Sequence, residues 1–365
     1  MKVAILHDYL NQFGGAERVL KTLLDIFPKA DLYTLLHDEE RTLGLFKNRV
    51  KGTSFLDIPL VRRRHRAFIP LMPLATKMLR PKEEYDLVIS STAGYAKGIP
   101  VKAKYHICYC HSPLRYAWEA DYLKKLSFSP WPLTQSVLYP IASWLKNWDK
   151  RASQNVNLFI ANSDFIAGKI KSYYGREAEV IYPPVDVKTF YPEPTTSKKN
   201  YYLMAGRLLY YKGFDLGIKA LNKLGRNLKI LGTGPEEEKL KKIADPQLTE
   251  FIRYAPDAEL RKLYSNAKAL IFPQIEDFGL VAAEAQMCGL PVLSFNKGGG
   301  KEIVEDRKTG LHFEEQTPEA IINAINDFEK MSFDRVYIAR KALRFSEETF
   351  VNNIRNTVRK NGFII

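Results

Sequence analysis

Two doubly wound, Rossmann-like α/β domains facing each other across a cleft are the fold this sequence predicts, on three observations. Apolar strand-like runs alternate with helical runs along the chain, the pattern of a parallel sheet covered by helices. The alternation halts at Pro183-Pro184 and restarts at Tyr202, after the polar, proline-bearing stretch 191–200 that reads as a linker. Motifs rich in glycine and charge follow directly after predicted strands, where doubly wound sheets bind ligands. A length of 365 residues agrees, being too great for one ordinary core. The boundaries read from these signals are 1–190 and 201–345, with 191–200 between them and a last helical segment at 346–365.

In the first domain the predicted strands are Val3–His7, Asp31–Leu35, Val50–Phe55, Asp86–Ser90, His106–Cys110, Leu158–Ala161 and Glu179–Tyr182. Helical runs include Glu17–Ile26, Leu133–Gln154 and Phe165–Tyr174. In the second, strands fall at Tyr202–Ala205, Leu228–Leu231, Phe251–Tyr254, Ala269–Phe272 and Val292–Phe295. Helices are expected to start at Phe214, Glu236, Asp257 and just after Gly279, with three more at Pro318–Lys330, Asp334–Leu343 and Glu347–Lys360.

Composition excludes several classes. Hydrophobic content of 45% and charge of 26% are globular values. The opening Met1–Asp8 lacks the long apolar region of a signal peptide, and no run of 18 apolar residues spans a bilayer. Cys108, Cys110 and Cys288 make no disulfide framework, so the expected compartment is the cytoplasm. The net charge of +14 is unevenly placed: Lys47–Lys82 carries ten basic residues against the single acid Asp57. Phe68, Ile69, Leu71, Met72, Leu74 and Met78 interleave with them, as in a segment lying on an anionic membrane, where each cation adds roughly 1 kcal/mol. A plain solvated loop is the other reading. Nucleic acid is not expected, since no base-reading module is recognisable.

The stretch Pro273–Pro291 carries the most chemistry. Glu276 sits on a loop past a strand, Gly279 stands where a helix should begin, and Glu284 lies about one and a half turns into that helix. Such a helix start aims N–H groups and a positive dipole end at the loop, which suits an anion. Two solvated acids around a helix start would be the bland alternative. Arg207 and Lys212 lie on the loop after the first strand of the second domain, where two cations can neutralise a diphosphate as it leaves an anomeric carbon. Gly234, in Gly232-Thr-Gly234-Pro, permits close backbone approach to phosphate or ribose and serves a simple turn equally well. The same holds for Gly14 and Gly15 after the first strand. There a helix start offers N–H donors to phosphate, although a tight turn explains the pair as well.

The order Gly206-Arg207…Lys212-Gly213, Gly232-Thr-Gly234-Pro, Glu276-x7-Glu284 and Gly298-Gly-Gly300-Lys-Glu302 resembles the donor domain of the retaining glycosyltransferases of family 4, across residues 201–315. The resemblance implies the glycosyltransferase B fold, with the last helix, 346–365, returning to the first domain. It implies that Arg207 and Lys212 bind the donor diphosphate, Glu276 contacts sugar hydroxyls and Glu284 holds the ribose. Phe278, Gly279 and Leu280 would meet sugar and phosphate through backbone N–H groups. No cofactor and no metal is implied, because protein cations and helix ends serve instead. In the first domain His111, in Tyr109–Trp118, resembles the histidine that borders the reacting sugar. Arg115 and Asn162 fall on the acceptor side, with Ser163 read first as a helix cap. Strand alternation turns His111 away from Cys108 and Cys110, against a zinc site. Gln274-Ile275 departs from the pattern, which often has Ser or Thr and a small residue there.

Together with Gly14-Gly-Ala-Glu-Arg18, the His111–Trp118 run looks like a bacterial subset extending surface polysaccharides or O-antigens. The function this implies is transfer of a hexose, mannose from GDP-mannose, to a saccharide or lipid-linked glycan at the inner membrane face. Residues 47–82 would form the contact. The alternatives are a UDP-sugar donor, or a nucleotide-sugar epimerase or phosphorylase on the same fold.

Overall fold

The computed structural model describes residues 1–119, 135–193 and 200–364. They form two compact units, Met1–Tyr182 with Val351–Ile365, and Pro183–Phe350. The first is built on seven parallel strands: β1 (Val3–Leu10), β2 (Asp31–His37), β3 (Val50–Thr53), β4 (Glu84–Thr92), β5 (Lys102–Cys110), β6 (Leu158–Ala161) and β7 (Ala178–Val180). Their spatial order is β3-β2-β1-β4-β5-β6-β7. The second has six, β8 (Tyr201–Ala205), β9 (Asn227–Leu231), β10 (Thr249–Ile252), β11 (Leu270–Phe272), β12 (Val292–Phe295) and β13 (Gly310–Phe313), ordered β10-β9-β8-β11-β12-β13.

Both sheets are doubly wound. The strand order reverses between β1 and β4 in one and between β8 and β11 in the other. Loops leave the sheet in opposite directions at such a point and open a crevice at the carboxyl ends of the strands. The central strands are apolar runs, buried from end to end in β8, β11 and β12, because helices cover both faces. Ile218, Leu221, Ile321 and Ile325, from two helices, pack with Met204, Ile230 and Leu293 in the second core.

Most of the predicted elements are present with shifted ends. The helix after Leu158–Ala161 runs Asp164–Tyr174, capped by Ser163, whose Oγ accepts from Ile166 N at 3.0 Å. It stops at Gly175, which takes the left-handed conformation. The helix expected from Leu133 is described from Gln135 to Gln154, its first two positions lying outside the described residues. Residues 194–199 of the expected linker also lie outside them. Residues just before belong to the second unit: Phe190 is buried against Tyr264, and Glu193 accepts from Arg261 Nε at 2.7 Å. The helix Glu347–Lys360 carries the chain into the first unit, where Thr357 donates to Glu179 and Tyr105 donates to Asn361.

In the basic segment 47–82 the apolar residues divide between the core and the surface. It folds as helices Pro59–Arg64 and Met72–Met78 joined by a 3-10 stretch, His65–Leu71. Ile69, Met72 and Ala75 enter the core at helical spacing, whereas Leu60, Leu71, Leu74 and Met78 stay exposed. Several charges are neutralised within the protein: Arg62 bonds Asp57 at 2.7 Å, Lys51 bonds Asp31 at 2.8 Å, and Lys47 lies 3.2 Å from Glu39. Among the described residues no helix is long and apolar enough to cross a membrane.

Candidate functional site

In the second unit the loops after β8 and β11 emerge side by side at the strand-order reversal. The first carries Arg207, exposed, and Lys212 at the end of a 3-10 turn, Tyr210–Lys212. The second carries Gln274 and Glu276. Lys212 Nζ donates to Glu276 Oε1, and Gln274 Nε2 donates to the same oxygen at 3.1 Å. Two charges 64 residues apart in sequence thus meet at the mouth of the crevice. Their side chains are 15% and 20% exposed.

Gly279, at φ 103°, starts the helix Leu280–Met287. Phe278 sends its ring into the core against Phe345, so only its backbone is offered at the loop. Glu284 is buried 6% exposed on that helix and accepts from Tyr264 Oη at 3.3 Å. Burial, and then the Glu284 carboxylate, pushes the Cys288 thiol up to about 12, so it stays protonated and inert.

The glycine motifs turn out to build these loops. A Cβ on Gly299 would stand 1.9 Å from the Phe278 carbonyl oxygen, and Gly299 N donates to Glu276 O at 2.9 Å. The Gly298–Gly300 run therefore clamps the Glu276 loop. Gly234 is explained similarly: a Cβ there would meet Leu208 O at 2.2 Å, and Leu208 N donates to Thr233 O at 2.9 Å. Its missing side chain makes room for the Leu208 backbone.

In the first unit His111 follows β5. Its backbone N–H donates to Thr92 O at 2.8 Å, and its carbonyl accepts from Asn162 Nδ2 at 3.0 Å. Asn162, read as shaping an acceptor site, holds the His111 backbone. The ring of His111 has Nε2 2.9 Å from Ser91 Oγ and packs edge-on to Tyr109. Cys108 and Cys110 lie in an apolar cluster, and no metal-holding group of His, Cys, Asp or Glu occurs among the described residues. Arg115 opens a short helix, Arg115–Trp118. Gly15 begins the helix Gly15–Ile26, and the N–H of Gly14 donates to Glu17 Oε2 at 2.8 Å.

Sequence reasoning missed Gln274, Tyr264 and the buried Asp8. Asp8 lies in β1, two residues before its end, and accepts from Thr92 Oγ1 and from the backbone N–H groups of Ala93, Tyr95 and Ala96 at 2.6–3.0 Å, fixing the loop after β4. An acid directly after an apolar run was the available signal.

Two doubly wound units, each with polar residues gathered at its strand-order reversal, define the B-type fold of the glycosyltransferases. Solved structures agree. The lipopolysaccharide outer core galactosyltransferase WaaB superposes with a TM-score of 0.69 at 18% identity, covering 99% of this chain and 100% of that one. HepE from Anabaena, in complex with UDP, gives 0.69 at 19% identity with the same coverage. Identities this low speak to the fold alone. Residues 13–189 match the family Glycosyltransferase Family 4, and residues 188–345 match Glycosyl transferases group 1. The chain belongs to these glycosyltransferases.

Among curated relatives, the D-inositol 3-phosphate glycosyltransferase of Paenarthrobacter aurescens is 28% identical over 49% of this chain and 50% of its own length. The GDP-mannose-dependent alpha-(1-6)-phosphatidylinositol monomannoside mannosyltransferase of Mycolicibacterium smegmatis is 30% identical over 49% and 54%. The chain thus spans about half the length of the curated relatives it matches.

Proposed function

We propose that the protein transfers a hexose, mannose from GDP-mannose, to a saccharide or lipid-linked glycan with retention of anomeric configuration. The observation that carries the reading is the Lys212–Glu276 contact at the β8/β11 reversal, beside the helix start at Gly279. A bound donor replaces that contact on both sides. Lys212, with Arg207, turns to the diphosphate and stabilises the charge that grows as the anomeric C–O bond breaks. Glu276 turns to the sugar hydroxyls, and Glu284 takes the ribose. In a retaining transfer the departing phosphate accepts the acceptor's proton, so no metal and no cofactor is required of the site. In the first unit His111 is the proposed sugar-hydroxyl contact, with Arg115 and Asn162 proposed on the acceptor side.

The mannosyltransferase relative supports the GDP-sugar, and a UDP-sugar is the alternative donor. A thermal-shift panel of GDP, UDP, ADP and their sugars separates them. At a hundredfold excess over Kd, GDP and GDP-mannose should raise Tm by roughly 5–10 °C over the other nucleotides. A selective response to UDP-sugars would move the donor to uridine, and no response to any nucleotide would overturn the reading.

The acceptor is proposed to be met at an anionic membrane surface. Exposed Leu60, Leu71, Leu74 and Met78 support this, together with the exposed Arg63 and Arg64. Charge reversal by Arg63→Glu and Arg64→Glu should abolish co-sedimentation with phosphatidylglycerol vesicles. Undiminished pelleting of that variant would remove the membrane from the proposal.

A further inference from the structure

At the reversal between β1 and β4, His7 and Ser91 are register partners, and a line of buried polar groups crosses the sheet there. His7 Nε2 lies 4.0 Å from Glu17 Oε1, and the other Glu17 oxygen accepts from Gly14 N–H. His7 Nδ1 lies 3.2 Å from Ser91 Oγ, and Ser91 Oγ lies 2.9 Å from His111 Nε2. Ser91 is fully buried, with His7 and Glu17 at 2% and 3% exposure, so these groups must satisfy one another.

We propose that Glu17, His7 and Ser91 are positioning residues whose hydrogen-bond polarity sets the tautomer of His111. The deduction counts hydrogens. A neutral imidazole carries one N–H, and a serine hydroxyl carries one O–H. The carboxylate facing His7 Nε2 favours an N–H dipole there over a lone pair, even at a separation where the attraction is purely Coulombic. With its hydrogen on Nε2, His7 has only a lone pair at Nδ1, so Ser91 spends its O–H on that nitrogen. Ser91 Oγ then accepts from His111, which places the His111 hydrogen on Nε2. Nδ1 of His111 then carries the lone pair, so toward a sugar hydroxyl that nitrogen accepts and does not donate.

A charge three residues into the first helix thereby determines how a histidine after the fifth strand recognises its ligand. This rests on the reading of His111 as a contact to a sugar hydroxyl. The tautomer itself is measurable without any substrate.

The test is long-range 1H–15N NMR on the full-length protein labelled at its six histidines, with His111 assigned by His111→Asn. The wild type should show His111 in the Nε2–H form. In Glu17→Gln the amide oxygen can keep the Gly14 N–H while the NH2 turns to His7 Nε2, so every bond in the line reverses and His111 should switch to the Nδ1–H form. Ser91→Ala, which cuts the line, should leave the His111 tautomer insensitive to Glu17→Gln. An Nδ1–H wild type, or a tautomer unmoved by Glu17→Gln, would overturn the relay. A loss of helix packing alone would not exchange one tautomer for the other. Failure here leaves the donor reading standing, because that reading is judged by the nucleotide panel.

Discussion

Alanine at Lys212 is expected to lower kcat/KM for transfer by roughly 10²–10³-fold, the scale seen when one preorganised group facing developing charge is removed. Glu276→Ala should lose a comparable factor. In the free protein the two side chains neutralise each other, so each single variant also leaves a charge without its partner. The double variant should therefore fall well short of the product of the two losses. Stability should fall by about 1–3 kcal/mol in each single variant, because the partner left behind is only 15–20% exposed. Steady-state kinetics with labelled donor, beside a melting curve for each variant, reads both quantities. Near-wild-type turnover in either single variant would remove the pair from the chemistry.

The second large effect is on folding. Asp149 and Lys97 form an ion pair with both side chains at 0% exposure. Asp149 also accepts from Trp118 Nε1 at 2.8 Å and Tyr174 Oη at 2.7 Å, and Lys97 donates to Gly94 O as well. Asp149→Ala strands a buried ammonium and two buried donors, which should cost about 3–5 kcal/mol against a total of about 5–15. Replacing the pair together, Lys97→Met with Asp149→Leu, should cost less than the single change, since no charge is then left unpaired. Urea denaturation followed by Trp fluorescence checks the order. A loss under 1 kcal/mol for Asp149→Ala would refute it. The pair also ties Trp118, the last residue of the His111–Trp118 run, to the long helix Gln135–Gln154.

Much of the architecture was legible because burial leaves a period in the sequence. Strands covered on both faces are unbroken apolar runs, and nearly every one of them was found within a few residues of its place. β13 was missed: four residues opening on glycine carry too little pattern to separate from a loop. In the segment 47–82 composition does not say which side of a helix faces in. Ile69, Met72 and Ala75 differ from Leu71, Leu74 and Met78 in phase and not in kind. For Gly234 and Gly298–Gly300 the glycines were visible, but not the carbonyls of Leu208, Glu276 and Phe278 that exclude a side chain there.

By itself, the sequence determined that the chain forms two α/β arrays and that chemistry-bearing residues follow their strands, because both are local consequences of hydrophobic period and turn chemistry. Only the tertiary structure decided which of those residues meet. Strand order is set by crossovers and core packing between segments far apart in the chain, and it alone sets β8 beside β11 and β1 beside β4. The Lys212–Glu276 contact and the line from Glu17 through His7 and Ser91 to His111 exist for that reason.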